Sequence, residues 1–119
     1  MAETRSPLTV TNHKDIAVVE FRESKILDEL NILQIQQSLN ELITSRDRCK
    51  ILLDFANVEH LTSAALGMLI NVNNSIRSQN GQLRLASIRP QLLEVFTITK
   101  LNKLFRILPT REEALASFE

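Results

Sequence analysis

The chain is 119 residues long, 44% hydrophobic and 24% charged, with fourteen basic side chains against fourteen acidic ones. That length suits one domain, and it suffices to bury a continuous core without disulfides or a metal. The balanced charge leaves no basic surplus to track a nucleic-acid backbone, so direct nucleic-acid binding is not expected.

Cys49 is the single cysteine. It can form no internal disulfide, and it belongs to no CxxC or zinc motif. It reads as a small buried thiol, and neither metal nor cofactor is expected. Met1 to Leu8 is polar and charged, with no apolar stretch of the kind a signal peptide needs. Apolar runs such as Ile51-Leu52-Leu53 are far too short to span a bilayer. The expectation is a cytoplasmic protein with no membrane span.

Residues 1–7 read as a flexible leader and residues 8–119 as one domain. Leu8 to Asn12 alternates loosely and predicts a first strand. His13-Lys14-Asp15 predicts a turn. The β-rich run Ile16 to Phe21 then predicts a second strand that closes a hairpin. Arg22 to Leu27 reads as a loop or short strand. From Glu29 the period changes: Ile32, Ile35, Leu39, Leu42 and Ile43 recur mostly at threes and fours, one face of an amphipathic helix ending near Arg46. Arg48 to Phe55 is the clearest strand, and its continuous apolar centre marks it as central and covered on both faces. Ala56 to Leu61 is a connection. Ala65, Leu69, Val72 and Ile76, with Leu66 and Ile70 beside them, mark a second helix, and Gly81 stands where a helix C-terminal glycine is expected. Leu83 to Ala86 predicts a strand, Pro90 the first turn of a third helix, and Phe105 to Leu108 a last short strand. Pro109-Thr110 opens a final helix through Phe118, with Thr110 and Glu113 spaced as a capping box.

After the opening hairpin, strands and helices alternate. That order predicts an α/β domain: a mixed, mostly parallel central sheet with an N-terminal β-hairpin and about four helices.

The chemistry-bearing stretch runs from Asp54 to Gly67. In an open α/β sheet, the loops beyond the strand C-terminal ends collect ligands and partners. This loop delivers Thr62 and Ser63 to the start of the second helix, where unpaired N–H groups and a positive partial charge favour an anion. A phosphate placed there finds ready donors and adds roughly −1.5 to −2 charges. The same Thr-Ser pair also reads as an ordinary N-cap, worth about 1 kcal/mol. The two readings are compatible if Thr62 caps and Ser63 lies just inside the helix. Gly67, one turn in, costs the helix about 1 kcal/mol relative to alanine, and close packing is the expected reason for it. Small residues at Ala64 and Ala65 let the helix start lie near the sheet or expose its backbone to a partner.

The segment Leu53-Asp54, Val58, Leu61 and Thr62-Ser63-Ala64-Ala65-Leu66-Gly67 resembles the signature of the STAS domain of bacterial anti-sigma factor antagonists. In that family a strand ends in Asp or Asn, a short loop carries a hydrophobic residue, and Asp-Ser-(Ser/Thr/Ala)-Gly-Leu-Gly follows. The element order is similar from about Leu8 to Phe118. Ile88-Arg89-Pro90 resembles the start of the family's third helix, and Leu101 to Ile107 its approach to the last strand. The resemblance implies an anti-sigma factor antagonist that works by partner switching. The phosphorylated serine of the family falls on Ser63, and the partner it implies is an anti-sigma factor with serine kinase activity. The unmodified antagonist binds that partner and frees the sigma factor; the phosphorylated form lets go. Asp28 matches the acidic residue that the family places before its first helix on the partner-facing surface, and it also reads as a plain N-cap. The implied partner-binding set is Asp28, Thr62, Ser63, Ala64, Ala65 and Gly67. Two departures stand out. Thr62 replaces the usual Asp and removes a charge beside the acceptor, and Ala65 replaces the usual Gly.

Other function classes fit less well. His60 stands three residues before Ser63, but a triad needs a base oriented by a third group and an oxyanion hole, and no G-x-S-x-G elbow is present; His60 reads as a loop residue and no enzyme is expected. Asp54 ends a central strand as the acceptor of a receiver domain would, yet the chain opens with a hairpin and lacks the receiver's acidic pair; a carboxylate capping nearby N–H groups is the plainer reading. No glycine-rich nucleotide loop occurs. A STAS module that is never phosphorylated, a scaffold or transporter accessory, is the nearest alternative.

Overall fold

A computed structural model describes residues 8–22, 25–26, 29–45 and 47–118. Among these residues, seven strands and four helices run in the order β1 (Leu8–His13), β2 (Ile16–Phe21), β3 (Lys25–Ile26), α1 (Glu29–Thr44), β4 (Lys50–Asp54), β5 (His60–Leu61), α2 (Ser63–Ser78), β6 (Gln82–Ala86), α3 (Pro90–Ile98), a 3-10 turn (Leu101–Lys103), β7 (Arg106–Leu108) and α4 (Arg111–Ala116). The five-stranded sheet has the order β1-β2-β4-β6-β7. Its first pair is antiparallel and the others are parallel, as expected for a hairpin followed by helical crossovers. The predicted leader, residues 1–7, lies outside the described residues, as does Asp28.

The period-two alternation of a strand sorts the side chains into two layers. From β2, β4 and β6, residues Ala17, Val19, Ile51, Leu53, Leu83 and Leu85 join the larger core with Ile35, Leu39, Leu69, Val72, Ile76 and Phe96 of α1, α2 and α3. The opposite set, Ile16, Val18, Leu52 and Ala86, packs with Ala114 of α4. Three helices therefore cover one face and the short α4 the other. This two-sided cover is why the centre of β4 is apolar at every position: Ile51, Leu52 and Leu53 are fully buried.

The hairpin turns at Lys14, whose φ is 58°. Lys50 Nζ reaches Asp15 at 3.1 Å, and its hydrogen bond holds that carboxyl below its ordinary pKa.

The helix end at Gly81 differs from expectation. Asn80, not Gly81, takes the left-handed conformation, at φ 62°. The Asn80 N–H donates to the Arg77 carbonyl at 3.0 Å and the Gly81 N–H to that of Ile76 at 2.9 Å, closing a Schellman turn around asparagine. Gly81 is required for space: a Cβ there would lie 2.6 Å from the Cys49 carbonyl oxygen and 2.9 Å from Ile76 Cγ2. Cys49 is buried as expected.

A row of four phenylalanines underlies the C-terminal end of the sheet. Phe21 and Phe55, Phe55 and Phe96, and Phe96 and Phe105 have ring centroids 5.0, 6.4 and 6.0 Å apart. Such tilted and edge-on contacts add to burial. The row joins β2, the end of β4, α3 and the approach to β7 directly beneath the loop of interest.

Candidate partner-binding site

The loop from β4 to α2 is pinned along its length. Asp54 Oδ1 accepts from the Ala56 N–H at 2.9 Å. Asn57 Nδ2 donates to the carbonyls of Phe21 and Arg22, both at 3.1 Å, and ties the loop to the end of β2. An Arg89 guanidinium nitrogen donates to the Ala56 carbonyl at 3.3 Å. Val58 is fully buried and its N–H donates to the Phe55 carbonyl at 2.9 Å. Beyond Val58 the chain forms β5, which pairs in parallel with β3 in the register Lys25↔His60 and Ile26↔Leu61. Since β3 leads toward α1 and β5 into α2, this two-residue ladder sets the two helix starts side by side. Sequence alone read the stretch from Ala56 to Leu61 as a plain connection, because two-residue strands carry no periodicity.

Thr62 is the N-cap of α2. Its φ and ψ are −89° and 167°, and its Oγ1 accepts from the Ala65 N–H at 3.1 Å. The first intrahelical bond runs from the Leu66 N–H to the Thr62 carbonyl at 3.1 Å. Ser63 is thus the first residue inside the helix, and both Ser63 and Ala64 are exposed. No acidic side chain occupies the first turn of α2. The capping and surface readings of Thr62-Ser63 therefore hold together, one on each residue.

Two small residues of this helix start sit otherwise than expected. Ala65 is fully buried within the main core, because the third position of this helix faces the sheet; its methyl fills core space and offers nothing to a partner. Gly67 does not serve close packing, since a Cβ placed on it would meet nothing within 4 Å. Its missing side chain instead leaves bare backbone on the outer side of α2.

The surface at the helix starts extends onto α1. Glu29, Leu30, Leu33 and Gln36 of α1 and Ala64 of α2 line a groove of about 520 Å³. Leu30 is 61% and Leu33 49% exposed. Sequence reasoning assigned the apolar residues of α1 to its buried face and missed these two, although they fall off the Ile32-Ile35-Leu39-Ile43 line.

Asp54 carries a second task on the other side of the sheet. It is 4% exposed and stands beside Glu20 in register. Arg111, the first residue of α4, answers both carboxylates, at 2.6 Å from Asp54 Oδ2 and 2.9 Å from Glu20 Oε2. Burial weakens the charged guanidinium, but the hydrogen bond and charge of Asp54, with Glu20 beside it, outweigh that and hold its pKa above the ordinary value. Asp54 is thus a capping and ion-pairing residue. His60 is exposed and shares no hydrogen bond with Ser63 among the described residues. No group of metal-ligating side chains occurs among the described residues, and no helix among them is long and apolar enough to cross a membrane.

Comparison with known proteins agrees with this architecture. BtrV of Bordetella bronchiseptica, described as a candidate anti-sigma factor antagonist, is 27% identical over 94 residues, 79% of this chain and 80% of its own. The structure of an anti-sigma-factor antagonist (STAS) domain protein from Planctomyces limnophilus superposes with a TM-score of 0.84 at 23% identity, covering 96% of this chain and 98% of that one. SpoIIAA of Bacillus, solved in its phosphorylated form, has the same fold at a TM-score of 0.68 and 17% identity, covering 92% and 96%. The STAS domain family matches residues 7–114, nearly the whole described fold with the Ser63 helix start at its centre, and the chain belongs to that family.

Proposed function

We propose that this protein is an anti-sigma factor antagonist that acts by partner switching in the cytoplasm, by binding rather than by catalysis. It binds an anti-sigma factor with serine kinase activity, and phosphorylation of Ser63 ends the association. The observation that carries the reading is the placement of Ser63. It is an exposed hydroxyl at the first position of α2, after a capping Thr62 and on a loop pinned by Asp54, Asn57 and Arg89. A rigid platform presents the acceptor without disturbing the core. A phosphate there lies at the positive end of a sixteen-residue helix whose first turn holds no carboxylate. The new charge at a contact surface disrupts a desolvated interface. The names of the relatives and the phosphorylated SpoIIAA neighbour support the same reading.

The experiment is incubation with the kinase-type anti-sigma factor of the same genome and ATP, followed by mass spectrometry of the intact chain and its peptides. One phosphate on Ser63 is expected, none on the Ser63→Ala variant, and loss of binding for Ser63→Asp. A chain that binds this partner without ever acquiring phosphate at Ser63 would instead be a STAS scaffold or transporter accessory module, the reading that the Thr62 substitution favours.

A further inference from the structure

The outer surface of α1 and α2 is unusually poor in charge. α1 carries Glu29 and Glu41 and no cation over sixteen residues, and α2 carries Arg77 in its last turn and no other charge. The whole chain is 24% charged. Uncharged polar residues, among them Asn31, Gln34, Gln36, Gln37, Asn40 and Asn71, take the other polar positions. Depletion of charge is a compositional mark of the centre of a protein interface. At the end of this layer next to Ser63, the groove between the helix starts exposes Leu30 and Leu33, one helical turn apart on α1, opposite Ala64. Gly67 follows Ala64 by three residues and so lies on the same side of α2, with nothing within 4 Å of the missing Cβ. Backbone can approach there as nowhere else on α2.

We infer that this groove receives one amphipathic helix of the anti-sigma partner. Leucine-type side chains of that helix pack between Leu30, Leu33 and Ala64, and a basic residue stands over Glu29. The inference rests on the proposed role of Ser63 and extends it by giving the chemistry of the bound segment. A helix fits because the groove walls are themselves helices with apolar residues at a three-residue spacing and no open strand edge, so packing rather than main-chain pairing must supply the affinity. Among the described residues that line the groove, Glu29 is the one charged side chain, so complementarity asks for a cation. The same geometry explains eviction. A phosphate on Ser63, next to Ala64 at the rim, must either lose water against an apolar ridge or hold the partner away.

The test measures binding of the purified kinase-type anti-sigma factor, without ATP, to the intact chain and its variants, with thermal melts to confirm folding. The double variant Leu30→Gln, Leu33→Gln is expected to lose at least about tenfold in affinity. Glu29→Lys is expected to lose several-fold and to flatten the salt dependence. Ile98→Gln, a change at a still more exposed apolar position on α3 (72% exposed), is expected to bind as the unchanged chain does. Hydrogen exchange on the partner is expected to show one newly protected amphipathic helix. Release by Ser63→Asp with full binding by the leucine variant would overturn the groove and leave the Ser63 reading standing. Protection of a strand or loop of the partner would also overturn it. Release by the leucine variant with full binding by Ser63→Asp would keep the groove and remove the switch. A partner that ignores the unchanged chain would remove both.

Discussion

Helices α2 and α4 begin with the same local device and use it differently. Thr62 and Thr110 are both extended N-caps whose hydroxyl oxygens accept from the N–H three residues on, each at 3.1 Å. After Thr110 come Arg111, Glu112 and Glu113. The arginine is fastened to Asp54 and Glu20 of the sheet, and two carboxylates face the positive helix end. After Thr62 come Ser63 and Ala64, exposed and uncharged, and the helix start has no anion of its own. The α4 start is satisfied from within, whereas the α2 start is capped but electrostatically open. A binding site can thus be made by leaving out what another helix of the same chain includes.

The largest effect should come from the fastened start. Arg111→Ala leaves Asp54 as a buried carboxylate without its cation. Such losses cost about 3–5 kcal/mol in a fully buried pair; with the Arg111 side chain 34% exposed, about 2–3 kcal/mol is expected in urea unfolding. A cost under about 1 kcal/mol would show that α4 is held by Ala114 and its apolar neighbours alone. The caps come next. Thr62→Ala and Thr110→Ala should each cost about 1 kcal/mol, and Thr62→Ala should also weaken partner binding while Thr110→Ala leaves it unchanged; equal behaviour in the binding assay would break the contrast. Gly67→Ala should raise stability by somewhat less than 1 kcal/mol, since the helix gains propensity and the methyl meets nothing, yet it should weaken the partner, a stability and binding trade-off read by paired melting and titration. The smallest effect tests the open helix end itself. Ser63→Asp should stabilise the chain by about 0.3–1 kcal/mol at low salt and less at high salt, and Glu112→Gln should lose a comparable amount at the other helix.

The strand and helix order was legible because burial imposes period two or 3.6 on the apolar residues wherever an element is long. Ile32, Ile35, Leu39 and Ile43 marked α1, and Ile51 to Leu53 marked a strand covered on both faces. Of the two-residue elements, the sequence offers β3 only as a loop or short strand and β5 as a plain connection, since each exists only through the other's hydrogen bonds. Gly81 was placed correctly at a helix end for the wrong reason: a glycine can supply a left-handed turn or simply space, and only the nearness of Cys49 chose between them. Gly67 shows the converse, a glycine with no neighbour to accommodate. Ala65 belongs to the family motif yet turns inward, because the third residue of an N-terminal turn points to the sheet.

By itself, the sequence determined the α/β alternation, the central strand, the Thr62 cap and the position of Ser63 one residue beyond it. These depend on local periodicity and on side chains that bond to their own backbone within three residues. Tertiary structure decided which surface accompanies Ser63. It brought the start of α1 beside that of α2 through a two-residue ladder, tied the loop to the end of β2 through Asn57 and to the start of α3 through Arg89, and balanced Asp54 with an arginine fifty-seven residues away. Contacts at that separation leave no spacing in the sequence, since the chain path between them is set by the packing of the sheet.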